Sequence, residues 1–153
     1  MKRKMPKVGS LLRISVQEGY YFARVLNNLQ IAVYELFISR GCAIELEDVY
    51  QSRVIFKMTV MKSALVSGRW ETIDCRDLDP ILSSPIEYFT YDKITKRYSI
   101  YNSADGSLRP STYEECKSLE AAAVWDSVHV EDRIRDHFNG VDNAWAEDVR
   151  VKD

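Results

Sequence analysis

Nucleophilic or metal chemistry in this chain would have to be built from two histidines, His129 and His137, three cysteines, Cys42, Cys75 and Cys116, and a scatter of carboxylates. Eight residues separate the histidines, about 12 Å along a helix, too far for both rings to reach one zinc ion. Solvated or capping roles suit them better. Cys116 and His129 would make a thiol and base pair, yet Cys116 falls on the apolar face of a predicted helix, where a buried, inert thiol is expected. Asp74, Asp77 and Asp79 invite a calcium or acid–base reading, but they lack the D-x-D-x-D-G order of a calcium loop. Glu131, Asp132 and Asp136 form a second acidic group. Six glycines scattered singly build no phosphate cradle. No catalytic constellation emerges, so the chain reads as a non-enzyme, and no metal or cofactor is expected.

The elements that position these residues belong to a protein of 46% apolar and 29% charged residues, which excludes collagenous and disordered classes. A net charge of -2 is too small to predict nucleic-acid or membrane binding by long-range field. Its distribution is uneven. Residues 111–153 hold five Lys/Arg against eleven Asp/Glu, and residues 1–110 carry +4 with Lys2, Arg3, Lys4 and Lys7 at the start. The cysteine spacing matches neither a zinc knuckle nor a disulfide set, which points to reducing cytoplasm. Pro6, Gly9, Arg13 and Ser15 interrupt any signal peptide after the basic leader, and no stretch approaches the roughly 20 apolar residues of a membrane span.

Leu12, Ile14 and Val16 alternate with Leu11, Arg13 and Ser15, Tyr20 to Leu26 is aromatic and β-branched, and Ile31 to Ile38 is almost wholly apolar. Together they predict a three-strand meander with turns at Gln17–Gly19 and Asn27–Asn28. Residues 42–53 suit either a strand or a short helix. Val54, Phe56, Met58 and Val60 predict a fourth strand, and Ser67-Gly68 turns the chain toward Trp70–Ile73. A loop is expected from Asp74 to Pro85, then a tyrosine-rich hairpin, Glu87–Tyr91 with Arg97–Tyr101. Ser111-Thr112-Tyr113-Glu114 reads as a capping box opening a helix with Tyr113, Cys116, Leu119 and Ala123 on one face. A second helix is expected from Val128 to Phe138, stopped by Gly140. The fold class is therefore α+β, a twisted antiparallel sheet or partly open barrel of six to seven strands with two C-terminal helices. Residues 1–153 read as one domain with a basic leader at 1–8. Residues 140–153 read as a tail, either flexible or packed back through Trp145.

Tyr20, Tyr21, Phe22, Arg24 and Tyr34 offer an alternative function. Aromatic and basic side chains on a strand surface, with the basic N-terminus, would make a small nucleic-acid-binding module. The competing reading is that they fill a β core.

Several short motifs, in order, resemble the immunity protein 26 family. They are Pro6-Lys7-Val8-Gly9 leading into a strand, Tyr21 to Leu26, Gly68-Arg69-Trp70 with Ile73, Glu115-Cys116 through Leu119-Glu120 to Val124-Trp125, and Val130-Glu131-Asp132-Arg133. The resemblance runs to about residue 135. It implies a cytoplasmic protein encoded beside a polymorphic toxin, which binds the cognate toxin C-terminal domain and needs no direct nucleic acid, membrane or cofactor. Most matched residues are apolar or turn formers and carry no catalytic role. Asp74 departs from the small residue the family pattern suggests, and the segment beyond Gly140 has no counterpart. Because toxic nuclease domains are basic, an acidic contact surface of Asp74, Asp77, Asp79, Glu131, Asp132 and Asp136 is expected, acting by steric occlusion and charge complementarity. The alternative for each acid is that it solubilises the fold.

Overall fold

The computed structural model describes residues 4–150, so Lys2 and Arg3 of the basic leader and residues 151–153 of the tail lie outside the described residues. The protein is α+β: among the described residues, eleven strands form two sheets, accompanied by six helices. The chain divides into two compact units. The first runs to Ser83 and takes in Trp125–Ser127; the second comprises Ser84–Val124 and the chain from Val128 onward.

In the first unit the expected meander forms from β1 (Ser10–Ser15), β2 (Gly19–Val25) and β3 (Gln30–Tyr34), all antiparallel. Asn28 and Leu29 at φ 58° and 61° give the β2–β3 turn the left-handed pair of a type I′ hairpin. The apolar run breaks after Tyr34 and resumes as β4 (Ile38–Ser39), which pairs back onto β2. The ambiguous stretch folds as helix α1 (Leu46–Tyr50), and the fourth strand is β5 (Val54–Val60), paired to β3. A single helical turn, α2 (Lys62–Val66), precedes β6 (Trp70–Cys75), which pairs with β1. The expected loop is shorter than its composition suggests, because Asp74 belongs to β6 and Pro80–Ser83 forms helix α3. With β11 (Val124–Trp125) the strand order is β11-β5-β3-β2-β1-β6, β4 lying off β2, an open sheet rather than a barrel.

Every residue of β3 and all but one of β2 are buried. A strand covered on both faces needs apolar residues at successive positions, which explains why this region lacks clean alternation. Leu11, Phe22, Tyr34 and Val49 form the core on one face, with Tyr20, Leu36, Ile44, Tyr50 and Ile73 packed against them. Leu12, Ile14, Ala23, Val25, Ile31 and Val33 are buried on the other.

In the second unit the tyrosine hairpin, β7 (Glu87–Asp92) with β8 (Arg97–Asn102), founds its own four-stranded sheet. β9 (Leu108–Ser111) adds antiparallel to β8, and β10 (Glu120–Ala121) adds parallel to β7. The capping register is one residue later than expected: Thr112, not Ser111, accepts the Glu115 N–H, since Ser111 ends β9. Helix α4 (Tyr113–Cys116) stops after one turn. Leu119 still packs with Cys116 against Phe89 and Ile100, but from irregular chain, and strand residue Ala121 rather than the expected Ala123 joins them in place of a helical face. Helix α5 (Ser127–Phe138) ends as expected at Gly140, whose φ of 68° permits N–H bonds from Gly140 to His137 and from Val141 to Asp136. Helix α6 (Ala144–Val149) follows.

Gly9 sits at φ 94°, and a Cβ there would lie 2.2 Å from the Arg76 carbonyl oxygen, whereas Gly41 at φ 90° has nothing within 4 Å. Gly41→Ala should therefore cost only the left-handed penalty of about 1–2 kcal/mol, and Gly9→Ala about 3 kcal/mol or more because backbone must also move. Urea denaturation compares the two directly. Equal losses would mean that the close approach contributes nothing.

Candidate functional site

The acidic residues singled out from sequence lead to a polar cluster beneath α1. The β1–β6 pairing shifts register between Leu11 and Leu12, so Leu11 faces Asp74 and Leu12 faces Thr72. A bulge of this kind re-aims side chains, and here the Asp74 carboxylate accepts a hydrogen bond from the Tyr50 hydroxyl at 2.7 Å. Arg76, just past the strand end, stacks its guanidinium 3.9 Å from the Tyr50 ring centroid. It also donates to Glu47 at 2.6 Å and stands 3.5 Å from Asp74.

Arg24 lies at the centre of this cluster, only 4% exposed. It projects from β2, its Nε donating to the Gly9 carbonyl at 3.0 Å and its two terminal nitrogens to the Tyr34 hydroxyl at 3.2 Å and the Arg76 carbonyl at 2.7 Å. Its guanidinium also lies 4.8 Å from the Tyr50 ring centroid. Tyr50 thus meets two cations through its ring and one anion through its hydroxyl, a use of the phenol's quadrupole and donor together.

Burial pushes the Tyr50 phenol well above its ordinary value, and the bond to Asp74 raises it further. That same bond holds the Asp74 carboxyl below the usual carboxylate range, helped by the Cys75 amide and Arg76. Burial likewise raises the Tyr34 phenol, against the opposing pull of Arg24. The raised phenols favour neutral Tyr34 and Tyr50, and the lowered carboxyl favours charged Asp74, at neutral pH.

A cavity of about 400 Å³ opens over these residues, lined also by Asp77, Asp79 and Ile81. Asp79 accepts the Leu82 N–H at 2.8 Å at the start of α3. Asp77 is exposed and makes no hydrogen bond or ion pair among the described residues. The structure therefore brings Asp74, Asp77 and Asp79 into one neighbourhood.

Glu131, Asp132 and Asp136 belong to the other unit, on α5. Asp132 is paired with Arg135, one turn away, and Asp136 accepts from the Asn143 amide at 2.8 Å. Asn143 is buried and caps α6 by accepting the Ala146 N–H at 2.9 Å. Glu131 is half-buried. Arg133 makes a two-pronged bond to Glu120 at 2.5 and 3.0 Å. The His129 ring lies 4.0 Å from that of Trp145, and His137 meets Phe138 edge-on. Cys116 is fully buried, Cys42 and Cys75 are exposed, and no group of three potential metal ligands occurs among the described residues.

The aromatic strands do not form a stacking platform. Of the five residues, Tyr21, Phe22, Arg24 and Tyr34 are at most 5% exposed and belong to the core, while Tyr20 is half-buried with Arg13 and Arg40 over its ring, so the nucleic-acid reading loses four of the side chains it needed. Sequence reasoning missed Glu47, Tyr50 and Arg76 as a cluster around Arg24. The available signal was Arg24 itself, a charge inside a strand buried on both faces, which must find partners within the protein.

A family model described as immunity protein 26 matches residues 7–100. This span takes in Gly9, the Tyr21–Leu26 strand and Gly68-Arg69-Trp70, while the motifs from Glu115 onward, on which the resemblance also drew, lie beyond it. No curated protein and no solved structure matches the chain. No helix among the described residues is long and apolar enough to cross a membrane.

Two predictions follow from the geometry around Arg24. Arg24→Lys should destabilise by about 2–4 kcal/mol, since a single ammonium cannot serve three acceptors spread around a planar fork; a melting temperature equal to wild type would refute the hub. For Asp74, the folded-state carboxyl titrates below its unfolded value, so its contribution is present above about pH 4 and fades as pH falls through the folded value. Wild type should thus exceed Asp74→Asn in stability at pH 7 and converge with it on acidification, whereas a pH-independent gap would assign the effect to packing.

Proposed function

The chain belongs to the immunity protein 26 family, immunity proteins of toxin systems, and on that premise we propose that it binds and neutralises a cognate toxin C-terminal domain in the cytoplasm of the producing cell. The family match over residues 7–100 is the observation that carries this reading. Neutralisation proceeds by stoichiometric occlusion, without turnover or a cofactor. The toxin is a basic domain, of the kind that degrades nucleic acid, and the inhibitor meets it with carboxylates.

Within that surface the six acids have unequal roles. Asp77, exposed and without a partner among the described residues, and Asp79, which lines the cavity, meet the toxin directly in the first unit. Asp74 supports them by anchoring Tyr50 and Arg76. Glu131, Asp132 and Asp136 provide the acidic contribution of α5. Charges left exposed at the rim of an interface mainly accelerate encounter and exclude wrong partners, which is what an inhibitor of a lethal activity requires.

Co-expression with the toxin domain encoded beside this chain should preserve viability, and the purified pair should bind with Kd near or below roughly nanomolar. Asp77→Lys should slow association about tenfold at low ionic strength, with the defect shrinking as salt is added. Cell death on co-expression, or survival with no complex detectable, would remove direct neutralisation.

A further inference from the structure

A protein that protects against one toxin must encode that choice in residues that its family does not share. The family match ends at residue 100 and the motif resemblance at about residue 135, so α5 lies beyond the first and α6, which carries Trp145, beyond both. Resting on the toxin-binding reading above, we infer that the α5–α6 face of the second unit determines specificity, with Trp145 as its apolar anchor and a basic patch of the toxin as its occupant.

Trp145 is 50% exposed, while Trp70 and Trp125 are buried at 3% and 5%. Its place is fixed before any partner arrives. The indole rests on the His129 ring, tilted by 30° with centroids 4.0 Å apart, and the helix that carries it is pinned to α5 by Asn143, which caps α6 and donates to Asp136. An anchor held in one position gives up little freedom on binding, and tryptophan is the residue type most often found at the energetic centre of an interface. Val128, beside His129 on α5, and Val141, in the turn before α6, are exposed as well.

Charge identifies the occupant. Between residues 128 and 150 the chain holds six carboxylates against three arginines. All three arginines are already engaged, Arg133 with Glu120, Arg135 with Asp132 and Arg150 with Glu147. The face therefore offers an exposed aromatic within a negative field, and its complement is an apolar recess bordered by lysines and arginines. Specificity here uses attraction for the right toxin and an acidic barrier against toxins whose corresponding patch is neutral or acidic.

The test measures the affinity of the toxin domain for wild type, Trp145→Ala, Trp145→Phe and Glu131→Lys, together with tryptophan emission on mixing. Trp145→Ala should weaken the complex about 30-fold or more. Glu131→Lys should weaken it about tenfold at low salt and less at high salt. Wild-type emission should move to shorter wavelength as Trp145 leaves water. Trp145→Phe, which keeps an aromatic ring against His129, should lose that change, because the remaining two tryptophans are already buried. If wild type binds tightly, no emission change occurs and every variant binds as tightly, the inference is overturned while the neutraliser reading stands. If wild type itself forms no complex, both fall together.

Discussion

The guanidinium of Arg24 is a charge that the fold has taken out of water, and the first unit is organised around making that tolerable. Moving an isolated cation into a protein interior costs several kcal/mol even after relaxation, which is offset only if its donors are satisfied in good geometry. Arg24 reaches the chain before β1 through Gly9, β3 through Tyr34, the chain after β6 through Arg76, and α1 through the Tyr50 ring. Four segments distant in sequence are therefore fixed by one side chain. Gly9 follows as a necessity: its carbonyl must approach Arg24 while its α-carbon passes against the Arg76 carbonyl, and no larger residue fits. A sheet paired in another register would leave the same charge buried without its acceptors.

The second constraint is placed on top of the first. Arg76 supplies its backbone carbonyl to Arg24 and its side chain to Glu47, Asp74 and Tyr50. Positive charge at the base of the cavity is thus answered inside the cluster by Glu47 and Asp74. Asp77, which has no such duty, adds negative charge facing solvent. The division is physical: carboxylates that compensate a buried cation cannot be changed without uncovering it, whereas an exposed carboxylate can vary at almost no cost to folding. An inhibitor that must track a changing partner needs surface charges of the latter kind.

Local features were legible in the sequence and non-local ones were not. The β7–β8 hairpin and the end of α5 at Gly140 follow from alternation and left-handed glycine, properties of a few consecutive residues. The helix α2, the helix α3 and the strand β10 are too short to show any period. At Ser111-Thr112 two adjacent hydroxyls each precede a glutamate by three residues, so the cap is locally undecided. Pairing of Ser111 with Tyr98 across the sheet makes the choice. Arg24 was visible only as one of five aromatic and basic residues that could fill a core or line an exposed surface. Its acceptors lie at positions 9, 34 and 76, and nothing within β2 announces them. Asp74, Asp77 and Asp79 were visible as acids, but their unequal standing depends on a bulge, a tyrosine from α1 and a helix start contributed by Pro80.

The separation of the buried cluster from the proposed contact face has an energetic basis. Substitutions that share no partners act almost independently on stability. The Arg24 cluster belongs wholly to the first unit, and α6 is held within the second by Asn143 and by the ring of Trp145 on His129. A six-residue helix has little stability of its own, so these contacts decide its position. Because only a few residues set that position, the outward side of α5 and α6 can be rewritten while the Asn143 bond and the ring contact remain. Such a surface can be altered without disturbing the buried cation on which the first unit depends.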